Sequence, residues 1–379
     1  MSKLDAKDAA GFAAAAYAPI NNTVTTPQKA TAAILGGNLR QRYDVVAGSD
    51  LDGVTGRNLT ANFGFTAMGK GSDQGNCVVA IRGTNFSSLD DWLTNARMAG
   101  ARSSSGYPVH AGFNSLANTL LPQVRSAIKG KNISNLHILG HSLGGAAATL
   151  LADALKDVAN VHLYTFGAPR AGTIGHAQYL TSELGAQNIF RVYHDTDLVP
   201  MVPVFPYSHM PAGDNGYLMK GSGTIVSIAA HSIELYKTNC RANWSGMKTI
   251  PHRRFSLDTV DDLLAEAGQI PGGFMQVAIM RLITKVLSLM LTGAGGIIGT
   301  GLFVTATVMD QLAIAIMRGV QLGLYLADTV ESLVRQIMRF LGLTLTTGVK
   351  VTTAFLRWLL DKLFSVISMM ARAAVQTIS

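Results

Sequence analysis

The chain has only two cysteines in 379 residues, Cys77 and Cys240, standing 163 positions apart. So sparse a pair excludes a disulfide-built scaffold and a cysteine zinc site, and two buried free thiols are expected. Charge is scarce too. Asp, Glu, Lys and Arg make up 14% of the residues against 48% hydrophobic, low and high respectively for a soluble protein. The sequence lacks H-E-x-x-H, a phosphate-binding loop and a dinucleotide fingerprint, so neither a metal nor an organic cofactor is expected. The first residues, Met1 to Asp8, alternate charges and lead into an Ala-rich helical pattern through Tyr17. They lack the uninterrupted apolar core of a signal peptide, so a chain made in the cytoplasm without one is expected.

What the chain does have is Gly140-His141-Ser142-Leu143-Gly144. By composition alone, a bare G-x-S-x-G would turn up in about a quarter of chains this long and glycine-rich. Its context is what carries meaning. The apolar stretch Leu136-His137-Ile138-Leu139 before it reads as a buried strand, and Gly145 to Leu155 after it is a strong helix pattern. Strand, G-x-S-x-G and helix together make a nucleophile elbow, with glycines where the backbone passes too close to its neighbours for a Cβ. The serine is left at a helix N-terminus with the next amide facing its reaction site.

A serine hydroxyl needs a base, and the base needs an orienting acid. In elbow hydrolases these follow in the chain order Ser, Asp/Glu, His. Asn188 to Tyr193 reads as a strand and runs into His194-Asp195-Thr196-Asp197-Leu198-Val199-Pro200. Carboxylates at the C-terminal end of such a strand sit where open α/β sheets place their sites. Farther on, His231 precedes a helical stretch from Ser232 to Tyr236.

These residues resemble the class 3 (fungal-type) lipase family over most of residues 1–240. Val78 to Thr84 and the Asp91-Trp92-Leu93-Thr94 run are similar to the family's oxyanion segment. Val109-His110-Ala111-Gly112-Phe113 resembles its next landmark, and Thr165 to Gly172 its strand and turn after the elbow. Asp197-Leu198-Val199-Pro200 looks like its acid motif, and His231 falls where its base belongs. The resemblance implies Ser142 as nucleophile, Asp197 as orienting acid and His231 as base. Thr84 and the backbone N–H of Leu143 would form the oxyanion hole.

Competing assignments stay open. Asp195 is a rival acid two residues from Asp197, and His209 is a rival base. His110, His137, His141 and His162 flank or interrupt apolar strands and read as hydrogen-bonded structural histidines. Arg82 reads as an ion-paired scaffold residue, and Trp92 as either a lid aromatic or a core residue.

The composition changes at Ala267 to Gly273, a stretch of turn formers. Beyond it, the 24 residues from Val286 to Met309 carry no charge, enough for a helix to cross a ~30 Å hydrocarbon core. Gly295 and Gly299 form a G-x-x-x-G pair suited to close helix packing. The remainder reads as amphipathic helices interrupted by Arg and Lys. Residues 271–379 hold nine Lys/Arg against four Asp/Glu, so +5 of the chain's net +8 lies there. A basic, apolar tail suits an anionic membrane surface. Nucleic acid is excluded, because these basic residues are embedded among Leu, Ile and Met rather than clustered on a polar face.

The expected architecture is an α/β-hydrolase domain over about residues 1–265, followed by a hydrophobic helical domain over about 274–379. The sheet should be mostly parallel, with strands at 77–82, 136–141, 161–166 and 188–193 and helices on both faces. The expected activity is ester hydrolysis in lipids, foremost of membrane glycerophospholipids. Alternatives are a neutral acylglycerol lipase or carboxylesterase with a membrane anchor, or a membrane-perturbing toxin whose tail is the active element. A signal-less lipase with such a tail also resembles the lipase effectors of bacterial type VI secretion systems. That resemblance implies export by that route into a target cell, a secretion carrier and an immunity protein.

Overall fold

A computed structural model describes residues 3–18, 31, 34–46, 50–54, 60–83, 101–203, 207–212, 216–221, 228–241, 243–247, 308–323, 327–344 and 351–376. Seven strands form the main sheet: β1 (Tyr43–Val45), β2 (Gly64–Gly69), β3 (Asn76–Ile81), β4 (Asn135–His141), β5 (Asn160–Phe166), β6 (Ile189–His194) and β7 (Tyr217–Met219). They lie side by side in chain order. The β1–β2 and β2–β3 pairs are antiparallel, and β3 through β7 run parallel.

The parallel strands follow from their composition. β3 and β6 are buried along their whole length, and β4 and β5 at every position but the first. Such continuous burial is what a sheet covered on both faces requires. The strands expected from sequence match β3 to β6 to within one residue at each end.

Register is fixed at the N-terminal edge by asparagines. Asn76, Asn135 and Asn160 stand opposite one another on β3, β4 and β5. The amide of Asn160 donates to Asn135 at 3.1 Å, and that of Asn135 donates to Asn76 at 3.0 Å. A one-residue slip would turn every side chain to the opposite face, so this ladder also sets which strand ends meet at the far edge. There, Ile81 pairs with Gly140 and His141 with Phe166.

Helices accompany these strands among the described residues. α1 (Ala6–Ala15) is capped by the Asp5 side chain, which accepts from the Asp8 N–H at 2.7 Å. It buries Ala6, Ala9, Ala10, Phe12 and Ala13. α2 (Ala111–Ile128) buries Phe113, Leu116, Leu120 and Val124 at helical spacing. α3 (Leu143–Leu155), rich in Gly and Ala, is buried at every position but Ala154, and such small side chains let a helix lie close against the sheet. α4 (Ile174–Leu184) lies between β5 and β6 in the chain, and the shorter α5 (Ile233–Asn239) follows β7. These elements belong to one compact unit built from residues 1–222 and 227–252 with 371–379.

A second compact unit comprises residues 223–226 and 253–370. Its described elements are helices α6 (Val308–Gln321), α7 (Ala327–Phe340) and α8 (Thr353–Gln376, which extends past residue 370). α7 buries Val330, Leu333, Val334, Ile337 and Met338, while Glu331 and Arg335 form an ion pair at 3.4 Å on its exposed side. Gly323 and Gly342, at φ +69°, follow α6 and α7; the left-handed conformation there is easy only for glycine. Among the described residues no helix is long and apolar enough to cross a membrane. The uncharged run Val286–Met309 lies, but for its last two positions, outside the described residues, as does the expected break between domains at 265–274.

Candidate active site

The turn from β4 into α3 is built by what its glycines leave out. A Cβ on Gly140 would overlap the carbonyl of Gly144, and one on Gly144 would overlap the carbonyls of Ile81 and Arg82. These obstacles are backbone and cannot swing aside. The compression leaves Ser142 at φ 56°, the one non-glycine with positive φ among the described residues. Such strain persists only where the surroundings enforce it. Here the Ser142 N–H donates to the Phe166 carbonyl at 3.0 Å, fastening the turn to β5.

Two further side chains meet Ser142 at this edge. His231 ends a short 3-10 turn, Ile228–His231, just before α5. Its Nε2 lies 2.9 Å from the Ser142 hydroxyl and its Nδ1 lies 2.8 Å from Oδ2 of Asp197. The carboxylate requires the proton on Nδ1, which leaves Nε2 to accept from the serine. Asp197 follows β6 and is buried with all its partners on donors. Oδ2 also accepts from the Tyr236 hydroxyl at 2.7 Å, and Oδ1 accepts from the Val199 N–H at 3.0 Å. Gly167, at φ +55°, makes room for this group, since a Cβ there would come within 2.8 Å of Oδ2. That is the physical content of the glycine after Phe166.

The rival residues do not join the cluster. Asp195 turns to the sheet edge, where Oδ1 accepts from the Gly221 N–H at 2.7 Å. His209 donates through Nε2 to the Pro200 carbonyl at 2.6 Å. Leu143 opens α3 and is buried beside Ser142, whereas Thr84 and Trp92 lie outside the described residues. Arg82 differs from its expected ion pair. It donates to the carbonyls of Asn62 and Gly83 at 2.6 and 3.1 Å, which tie it to the strand end instead.

His141 has more to do than a filler histidine. Its Nε2 donates to the His231 carbonyl at 2.8 Å, and its Nδ1 accepts from the Tyr17 hydroxyl at 2.6 Å. Burial, and then the nearby His231, hold the ring well below the ordinary histidine pKa, so it stays neutral. The Tyr17 oxygen in turn accepts from the Gly83 N–H at 3.0 Å. Tyr17, Tyr236 and His194 are the site residues that sequence reasoning missed. The signal present for Tyr236 was its place five residues beyond His231, on the helix that follows it, and for His194 its place at the end of a buried strand. Tyr17 offered none.

Cys77 and Cys240 are buried free thiols, and burial pushes both to about 12. Among the described residues no group of three His, Cys, Asp or Glu is placed to hold a metal ion.

The family model "Lipase (class 3)" matches residues 78–207. That stretch of the chain is similar to class 3 lipases. Ser142 and Asp197 fall inside it and His231 lies beyond its end. A secreted mono- and diacylglycerol lipase 1 of Fusarium solani is 35% identical over 141 residues, 35% of this chain and 41% of the relative. A lipase of Rhizomucor miehei is 27% identical over 179 residues, 44% of this chain and 48% of that lipase. Toxin TseL of Vibrio cholerae serotype O1 is 35% identical over 103 residues, 26% of this chain and 15% of the toxin. The chain thus spans less than half the length of each of these relatives. The sheet, parallel from β3 to β7 and ordered as in the chain, with the elbow between its central strand and the buried helix, is the α/β-hydrolase fold.

Proposed function

We propose that this protein is a serine hydrolase of lipid esters, with Ser142 as nucleophile, His231 as base and Asp197 as orienting acid. The observation that carries the reading is the unbroken chain from the Ser142 hydroxyl through His231 to Asp197 at 2.9 and 2.8 Å. Ser142 attacks the ester carbonyl while His231 Nε2 takes its proton. Asp197 holds the imidazole tautomer and stabilises the imidazolium. The Leu143 N–H, with Thr84, holds the developing oxyanion, each donor contributing roughly 3 kcal/mol. His231 then protonates the leaving alcohol, and water attacks the acyl-enzyme under the same base.

The substrate we favour is membrane glycerophospholipid, cleaved by a lipase domain of about residues 1–265 that is presented by a basic, apolar domain over about 274–379. The surplus of five positive charges after residue 270 supports an anionic surface as partner. The identity to a toxin supports an exported effector acting on a target cell, with a carrier and an immunity protein as partners. A neutral acylglycerol is the second reading, favoured by the mono- and diacylglycerol lipase relative.

The test is product analysis by mass spectrometry after incubation with mixed phospholipid liposomes and, in parallel, a diacylglycerol emulsion. Lysophospholipid and free fatty acid are the products expected. Cleavage of diacylglycerol alone would favour the second reading. Leakage of liposomes by the Ser142→Ala protein, with no cleavage by the wild type, would make the tail the active element.

A further inference from the structure

The base His231 sits on a turn, and turns are mobile unless their carbonyls are held. Two histidines at strand ends hold this one. His141, ending β4, donates to the His231 carbonyl at 2.8 Å. His194, ending β6, donates through Nδ1 to the carbonyl of the preceding residue, Ala230, at 2.6 Å. The second contact has no part in the reaction described above.

The surroundings of His194 leave it one tautomer. The Asn239 amide donates to Lys220 O at 3.2 Å, and the same nitrogen lies 3.1 Å from His194 Nε2. Nε2 is therefore an acceptor and the proton stands on Nδ1, facing Ala230. Burial keeps the ring below its ordinary pKa and so neutral, despite Asp197 and Asp195 nearby. The ring stacks on Tyr236 with centroids 3.9 Å apart, and the His194 N–H donates to the Tyr236 hydroxyl at 3.1 Å. That hydroxyl is the one bonded to Asp197. One residue thus touches the support of the acid and the turn of the base.

We propose that His194 is a positioning residue, fixing His231 against Ser142 through the Ala230 carbonyl. This rests on the reading of Ser142, His231 and Asp197 as a catalytic triad. A displacement of about 1 Å at a catalytic group costs on the order of 100-fold in rate. A side chain that merely fills space would be replaced equally well by any neutral side chain of similar size. A positioning donor would not. Asn carries an amide nitrogen near the place of Nδ1, whereas Gln carries it near the place of Nε2.

The test compares the full chain with its His194→Asn and His194→Gln variants. One readout is kcat and KM on a short nitrophenyl ester. The other, independent of turnover, is the low-field proton resonance of the His231 Nδ1–H bonded to Asp197. His194→Gln should lower kcat about tenfold or more, with KM within twofold, and broaden the resonance. His194→Asn should stay within about threefold of wild type and keep it. Wild-type kcat and resonance in the Gln variant would overturn the proposal, as would equal losses in both variants. Should His194→Gln fail to fold, Asn239→Ala releases the tautomer while leaving His194 in place. It should lower kcat severalfold and weaken the resonance, and no change in either would overturn the proposal. A wild type that cleaves no ester, with the resonance responding as stated, would sink the hydrolase reading and leave the positioning role standing.

Discussion

The Tyr17 hydroxyl lies 2.6 Å from Nδ1 of His141, joining the end of the first helix to the residue beside Ser142. Burial pushes the phenol well above its ordinary range, so it remains a donor. Its oxygen also accepts from the Gly83 N–H, at the residue just before Thr84 in the chain. Tyr17→Phe leaves one buried acceptor and one buried donor unmet, each costing about 1–3 kcal/mol. The expected result is a lower melting temperature together with a fall in kcat, since Gly83 lies against Ser142. Differential scanning calorimetry and ester kinetics on the same sample check this. Unchanged kcat would mean that Tyr17 serves the fold alone.

The two aspartates after β6 should separate cleanly. Ser142→Ala and His231→Ala each should reduce ester hydrolysis by several orders of magnitude, because such groups act as a unit. Asp197→Asn should cost less but still heavily, since the amide disfavours the tautomer His231 needs. Asp195→Asn should retain most activity, its carboxylate being spent on the Gly221 N–H. Steady-state kinetics on a soluble ester decides it. Silence from His209→Ala with activity in His231→Ala would reverse the base assignment.

Much of this site was legible in the sequence because local rules and the fold agree there. Four strands are mostly apolar runs, as a parallel sheet covered on both faces demands, and their ends fell within a residue of expectation. The elbow was legible because each glycine answers a backbone carbonyl rather than a side chain. What could not be read were contacts between distant segments. Tyr17 meets a residue 124 positions away, and His194 meets one 36 positions away. Neither has a spacing that points to its partner. Arg82 misled for a related reason, because an arginine at a strand end satisfies itself on carbonyls as readily as on a carboxylate.

Glycines in and out of the elbow should respond differently. Gly144→Ala forces a methyl into the carbonyls of Ile81 and Arg82, where nothing flexible can yield. A destabilisation of at least about 3 kcal/mol is expected, with little soluble protein. Gly130→Ala meets nothing within 4 Å and bears only its φ of +70°, at a cost of about 1–2 kcal/mol. Urea denaturation of both variants checks the contrast. Equal stabilities would mean that the carbonyls of Ile81 and Arg82 yield to the added methyl.

Acid should destabilise the fold through its buried imidazoles. His137 on β4 and His162 on β5 stack with ring centroids 5.0 Å apart. Burial and the neighbouring His162 depress His137 from 6.5 to about 3, and burial and Lys3 depress His162 to about 4. The unfolded chain therefore takes up protons below pH 6.5 that the folded protein refuses. Stability from these two rings is complete above that pH and is lost as pH falls toward the folded values, by up to about 1.4 kcal/mol per pH unit for each proton. The wild type should thus lose stability progressively between pH 6.5 and 4. A protein carrying both His137→Gln and His162→Gln should show a shallower decline, whatever its stability at neutral pH. Urea midpoints measured at half-unit intervals of pH give the two slopes. Identical slopes would assign the acid sensitivity to the other depressed histidines, His141, His194 and His209.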